Sequence, residues 1–192
     1  MRLKAPRIAP LIDESLDDEQ REVLAPHMAR GPVLNIMLTL ARSPKALTGF
    51  LSWANYILSR RNSLSPRDRE LVILRTGYNC RSGYEWAQHV RIGLDAGLTE
   101  GEVSRIKYGP AASAWEERDR AMLRAVDDLT SDFFVSSKNW DALTFLTDRQ
   151  KMDLVLTVGQ YTQVSMLLNS FGVQPEPDLA LDPDVTDYEA AA

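Results

Sequence analysis

The chain has 192 residues and a net charge of −5, with 44% hydrophobic and 26% charged residues. That balance is ordinary for one soluble globular domain able to bury its own core, and the acidic surplus argues against nucleic acid as a partner. A single cysteine, Cys80, excludes an internal disulfide, a thiolate zinc site and a dithiol centre within one chain, and with only His27 and His89 a histidine-based metal site would need carboxylates or a second subunit.

The opening MRLKAPRIAP has no apolar stretch behind its basic residues, and no run reaches the roughly 18 apolar residues of a membrane helix. The expectation is a cytoplasmic protein without membrane association. Cap-then-acid-or-amide pairs mark helix starts at Ser15/Asp18, Ser65/Asp68, Thr99/Glu102, Ser113/Glu116 and Thr147/Gln150. Pro44 and Pro66 suit first helical positions, and Gly97 and Gly172 suit helix stops. In chain order the predicted helices cover 16–25, 33–41, 44–58, 66–79, 83–96, 100–108, 114–130 and 148–171, with a short one at 138–146. No segment alternates with a two-residue period, so the fold class is all-α. The division is a helical domain over 1–174 and an extended, acidic, proline-containing tail over 175–192, with Leu179, Leu181 and Tyr188 as its possible anchors. The 148–171 helix carries apolar residues on more than one side, from Leu154 to Leu168, which predicts burial all round.

Chemistry concentrates in Ser65–Gly97, read as helix, short turn, helix. Two antiparallel helices joined so briefly pack against each other. At about 100° per residue, Gln88, Arg91 and Asp95 form the solvated arc of the second helix. Trp86 faces the core. Glu85 and His89 fall with Ile92 and Ala96 on a flank turned away from solvent, where a carboxylate and an imidazole need partners. Glu70 on the first helix can complete the cluster. A plainer reading competes: Ser82-Gly83-Tyr84-Glu85 has the spacing of a capping box, with His89 a satisfied structural histidine. Cys80 is either an inert small hydrophobe or a thiol activated near a helix terminus.

The run RDRELVILRTGYN…YEWAQHVRIGLDAGLTEGEV resembles the carboxymuconolactone decarboxylase family, relatives of the alkylhydroperoxidase D proteins. The similarity extends through ERDRAMLRAVDDLTSD, NWDALTFL and VGQYTQVSMLLNSFGVQPE. It implies an alkylhydroperoxidase D-like fold of about 7–9 helices and association into trimers or hexamers. The peroxidase branch carries C-x-x-C-x-x-x-H with a glutamate upstream. Aligned on His89, its cysteines fall on Ser82 and Glu85 and its glutamate on Glu70. Both sulfurs are therefore missing, while the acid–base groups remain. The resemblance implies a cofactor-free enzyme, without a metal, acting on a small acid or lactone. His89, Glu85 and Glu70 are then the catalytic candidates, and Ser82, Tyr84, Arg75 and Arg81 the candidate substrate contacts. His89 would deliver a proton, one glutamate would serve as an acid and the other would orient the imidazole. The alternatives are a thiol-dependent antioxidant protein using Cys80, and a non-catalytic oligomeric binding protein.

Overall fold

A computed structural model describes residues 1–186, and those residues form nine α-helices and no strand. They are α1 (Asp18–Met28), α2 (Asn35–Leu40), α3 (Pro44–Leu58), α4 (Pro66–Asn79), α5 (Gly83–Asp95), α6 (Glu100–Tyr108), α7 (Glu117–Asp132), α8 (Ser137–Asp141) and α9 (Asp148–Phe171). None of the helices is long and apolar enough to cross a membrane.

The start signals work where a side chain can reach the first turn. Ser65 accepts from the Asp68 amide, and Thr99 with Glu102 and Thr147 with Gln150 form complete capping boxes. Two starts differ from expectation. Asp17 with Gln20, rather than Ser15 with Asp18, caps α1, and α7 opens at Glu117 with no side-chain cap. The last predicted short helix also contracts: α8 ends at Asp141.

α4 is the central helix. It packs against α5, α6, α7 and α9, and its apolar residues Leu71, Val72, Ile73 and Leu74 are fully buried. The main core joins Leu71, Val72 and Leu74 to Trp86, Ile106, Met122, Leu123 and Leu154, and Ile73 packs with Ile57 and Tyr161. The α4–α5 turn is tight because α4 ends in a Schellman motif: the Ser82 amide bonds to the Gly77 carbonyl and the Arg81 amide to that of Tyr78. Arg81 occupies the left-handed position that usually falls to glycine, with φ 52°. Close approach of the two helices needs Gly93. A Cβ there would stand 3.0 Å from Leu98 Cδ1, 3.2 Å from Leu74 Cδ1 and 3.6 Å from Glu70 Cβ.

α9 lies across α4 and α3. Asp153, buried on α9, accepts from Tyr56 Oη (2.7 Å) and from the Ser63 amide (2.7 Å), which fixes the α3–α4 loop. The helix is not buried all round in the single chain: Met152 and Met166 are 62% and 57% exposed. The tail is laid against the helices. Glu176 accepts from the Asn35 amide, Tyr84 Oη and Gln88 Nε2, Leu179 is buried, Leu181 is half-buried, and Lys107 pairs with Asp182 and Asp184. The remaining anchor expected from the sequence, Tyr188, lies outside the described residues.

Candidate active site

Glu70 comes from the middle of α4, Glu85 and His89 from consecutive turns of α5, and Tyr161 from α9. The helix hairpin brings the first three into one chain of contacts. His89 Nδ1 stands 2.6 Å from Glu70 Oε2, and His89 Nε2 stands 2.9 Å from Glu85 Oε1. The Tyr161 ring meets the imidazole edge-on, with centroids 4.9 Å apart and planes at 87°. Exposure falls inward, from Glu85 at 6% and His89 at 5% to Glu70 at 0%.

Burial pulls the His89 pKa down, but hydrogen bonds and charge from Glu70 and Glu85 outweigh it and hold the group up at about 9. Near neutrality the ring is an imidazolium, and both nitrogens donate to carboxylates. The Tyr161 phenol is driven well above its ordinary range, by burial first and then by the charges of Glu85 and Glu70. It therefore stays protonated.

The geometry decides between the two readings of Glu85. Ser82 makes no side-chain cap bond, its Oγ is buried without a partner, and Glu85 engages His89 instead. The capping box suggested by the spacing does not form.

The candidate substrate contacts fare differently. Arg75 is held in a bidentate pair with Asp127 (2.6 and 2.9 Å) and donates to the carbonyls of Ile106 and Lys107. It locks α4 to α6 and α7 and is not presented to a substrate. Tyr84 is buried in a core cluster, and its hydroxyl donates to Glu176 at 2.7 Å. Arg81 is exposed at the turn, and Ser82 is fully buried beneath it. The cation beside the cluster is one the sequence did not suggest. Arg69 Nε lies 3.8 Å from Glu70 Oε1, and neither atom has a hydrogen-bond partner although both are buried. The charge of Arg69 also reaches the Tyr161 hydroxyl.

Five surface cavities among the described residues are lined by other side chains than Glu70, Glu85 and His89. The cluster was expected to face a partly enclosed cavity. In the single chain all three groups are buried, and Tyr161 lies against the ring. Among the described residues no group of three or more His, Cys, Asp or Glu side chains is placed to hold a metal ion.

This architecture is an AhpD-like helical fold. An uncharacterized peroxidase-related protein from Silicibacter sp. TM1040 superposes with TM-score 0.76 at 16% identity, covering 93% of this chain and 96% of that one. A second, from Ralstonia eutropha JMP134, described as an alkylhydroperoxidase AhpD core, gives TM-score 0.75 at 20% identity over 89% and 94%. The debrominase Bmp8 in complex with 2,3,4-tribromopyrrole gives TM-score 0.73 at 12% identity over 91% and 94%. Identities this low carry the fold alone. Residues 44–128 match the model of the carboxymuconolactone decarboxylase family. The matched region contains Arg69, Glu70, Glu85 and His89; Tyr161 lies beyond it. Comparison with the curated proteins gives no match.

Proposed function

We propose that the chain is a cofactor-independent acid–base enzyme acting on a small carboxylic acid or lactone, by decarboxylation or a related proton transfer. The observation that carries this reading is the buried imidazole clamped at both nitrogens, by Glu70 at 2.6 Å and Glu85 at 2.9 Å. A structural histidine is satisfied by one carboxylate and a neutral partner, and a second buried carboxylate adds a desolvation cost of its own. A proton relay needs both. Glu85 is the outer member, so it is the group that touches substrate, and His89 passes the proton to it.

In a decarboxylation the bond to the departing carboxylate breaks, carbon dioxide leaves, and the electron pair stays behind as a dienolate. The His89 imidazolium passes its proton to the Glu85 carboxylate, Glu85 delivers that proton to the dienolate carbon and is a carboxylate again, and His89 is recharged from solvent. Arg69 balances the second carboxylate and offers a guanidinium to the oxyanion or the substrate carboxylate. The same reading takes the working unit to be a homo-oligomer, trimer or hexamer, whose contacts would cover the exposed Met152 and Met166 of α9. The thiol alternative is weaker: burial pushes the Cys80 thiol up, away from the reactive thiolate.

The test is a screen of lactones and β-keto acids with mass detection of product and carbon dioxide. Once a substrate is found, His89→Ala should lower turnover by about 10²–10⁴-fold. Arg69→Met should raise KM for acids more than it lowers kcat, and Cys80→Ser should leave both unchanged. An enzyme that needs Cys80 and tolerates His89→Ala would overturn the proposal.

A further inference from the structure

The tail crosses α5 beside the acid–base cluster, and one carboxylate holds it there. Glu176 Oε1 accepts from the Asn35 amide (2.9 Å) and from Tyr84 Oη (2.7 Å), and Glu176 Oε2 accepts from Gln88 Nε2 (2.8 Å). Three neutral donors thus close on both oxygens of one carboxylate, and hydrogen bonds to an ionised acceptor are the strong ones. Burial, and then the Glu176 carboxylate, drive the Tyr84 phenol well above its ordinary range, so it stays a donor.

The position of these donors ties them to the cluster. Tyr84 and Gln88 stand one turn apart on α5, and each directly precedes a cluster member, Glu85 and His89. At about 100° per residue, Gln88 lies roughly 60° around the helix from Glu85. The charge of Glu85 reaches the Tyr84 hydroxyl. A carboxylate on these donors therefore sits beside the outer proton carrier.

The tail itself is built to lift at this point. Glu176 stands between Pro175 and Pro177, neither of which has an amide to donate, in a stretch that is not helical. The ends of that stretch are fixed. Gln174 Nε2 donates to the Gly172 carbonyl (2.7 Å), Asn35 Nδ2 donates to the Gln174 carbonyl (3.1 Å), and Lys107 pairs with Asp182 and Asp184. Between those ends the strap rests on Glu176, on buried Leu179 and on a long, exposed Arg91–Asp178 pair of 3.7 Å. Residues 175–181 can rise while the helices stay in place.

We propose that Tyr84 Oη, Gln88 Nε2 and the Asn35 amide form a seat for the carboxylate of a small organic acid, which the chain's own Glu176 fills until the acid displaces it. As a substrate seat it rests on the acid–base reading of Glu85 and His89; as a carboxylate site it does not. Tyr84, expected from the sequence to touch substrate, does so when the strap lifts. Arg69 remains for the reacting end of the molecule.

Glu176→Ala empties the seat and leaves its donors intact. Sodium acetate should raise the melting temperature of this variant saturably, by about 2–4 °C more than that of the unaltered protein at equal ionic strength. In the unaltered protein the tethered Glu176 outcompetes free acetate, which makes it the control for general salt effects. Acetamide should shift the two proteins equally. Glu176→Gln, a smaller perturbation of the fold, should respond to acetate in the same direction. Adding Tyr84→Phe to Glu176→Ala should raise the acetate concentration needed by about tenfold, the loss of one charge-assisted hydrogen bond. Equal acetate shifts in variant and unaltered protein, an acetamide shift matching that of acetate, or an unchanged acetate dependence with Tyr84→Phe would each overturn the proposal. Once a substrate acid is found, Glu176→Ala should lower its KM by about tenfold; an unchanged or raised KM would overturn the seat as the substrate's. If no acid or lactone turns over, the acid–base reading fails alone, and the acetate shifts still decide the seat.

Discussion

Raising the pH through about 9 should remove the His89 proton and weaken the fold by a measurable amount. The unfolded imidazole titrates near 6.5 and the folded one near 9, so the folded state holds the proton more tightly. The stabilisation is fully present below about pH 6.5 and is lost as the pH climbs through about 9. The difference between the two values corresponds to about 3 kcal/mol. That is a sizeable share of the 5–15 kcal/mol typical of a domain. Glu70→Gln is the perturbation of choice. It keeps an oxygen within reach of His89 Nδ1 but removes the charge that is hydrogen-bonded there at 2.6 Å.

Urea unfolding at about pH 6 and about pH 9.5, on the unaltered chain and on Glu70→Gln, separates this effect from the other titrating groups, which both proteins share. The unaltered chain should lose about 3 kcal/mol more than the variant across that interval, within a factor of two. Nitrogen chemical shifts of the imidazole give the pKa directly. If the reaction uses the imidazolium, turnover should fall over the same pH range. An imidazole titrating at or below about 6.5, or identical pH slopes for the two proteins, would refute the argument that the carboxylates overcome burial.

Much of the hairpin and part of the cluster were legible in the sequence. Helix ends announced themselves where one side chain or one glycine does the work: Ser65-Pro66, Thr99 with Glu102, Gly97 and Gly172. The wheel placed Glu85 and His89 on a buried flank, and the spacing of the resembling family placed Glu70. Three things were not legible. Ser82 and Glu85 have capping-box spacing, but the imidazole one turn on competes for the carboxylate and wins in a buried setting. Arg75 was chosen for nearness in sequence, yet at about 100° per residue it lies roughly 140° around α4 from Glu70 and faces Asp127 on α7. The wheel alone could have excluded it. Tyr161 gave no signal at all, because only the packing of α9 across α4 brings it to His89.

Two further perturbations separate scaffold from site. Arg75→Ala should destabilise by about 2 kcal/mol, less than a fully buried pair would, because the Asp127 side chain is 30% exposed. KM should not move; a raised KM with unchanged stability in urea would return Arg75 to the substrate. Glu176→Ala tests how the tail is held. That carboxylate accepts from the Asn35 amide (2.9 Å), Tyr84 Oη (2.7 Å) and Gln88 Nε2 (2.8 Å), so it ties the tail to both α2 and α5. Its removal leaves the Tyr84 hydroxyl without its acceptor in a core position 3% exposed, which costs about 1–3 kcal/mol. Amide exchange should accelerate over residues 175–182 and at the start of α2. Residues 183–186 should respond less, because Lys107 still pairs with Asp182 and Asp184 at 2.6 and 2.8 Å. Uniform acceleration along the whole tail would mean that Glu176 is its main anchor and the Lys107 pairs add nothing; no acceleration would mean that burial of Leu179 and the Lys107 pairs suffice without it.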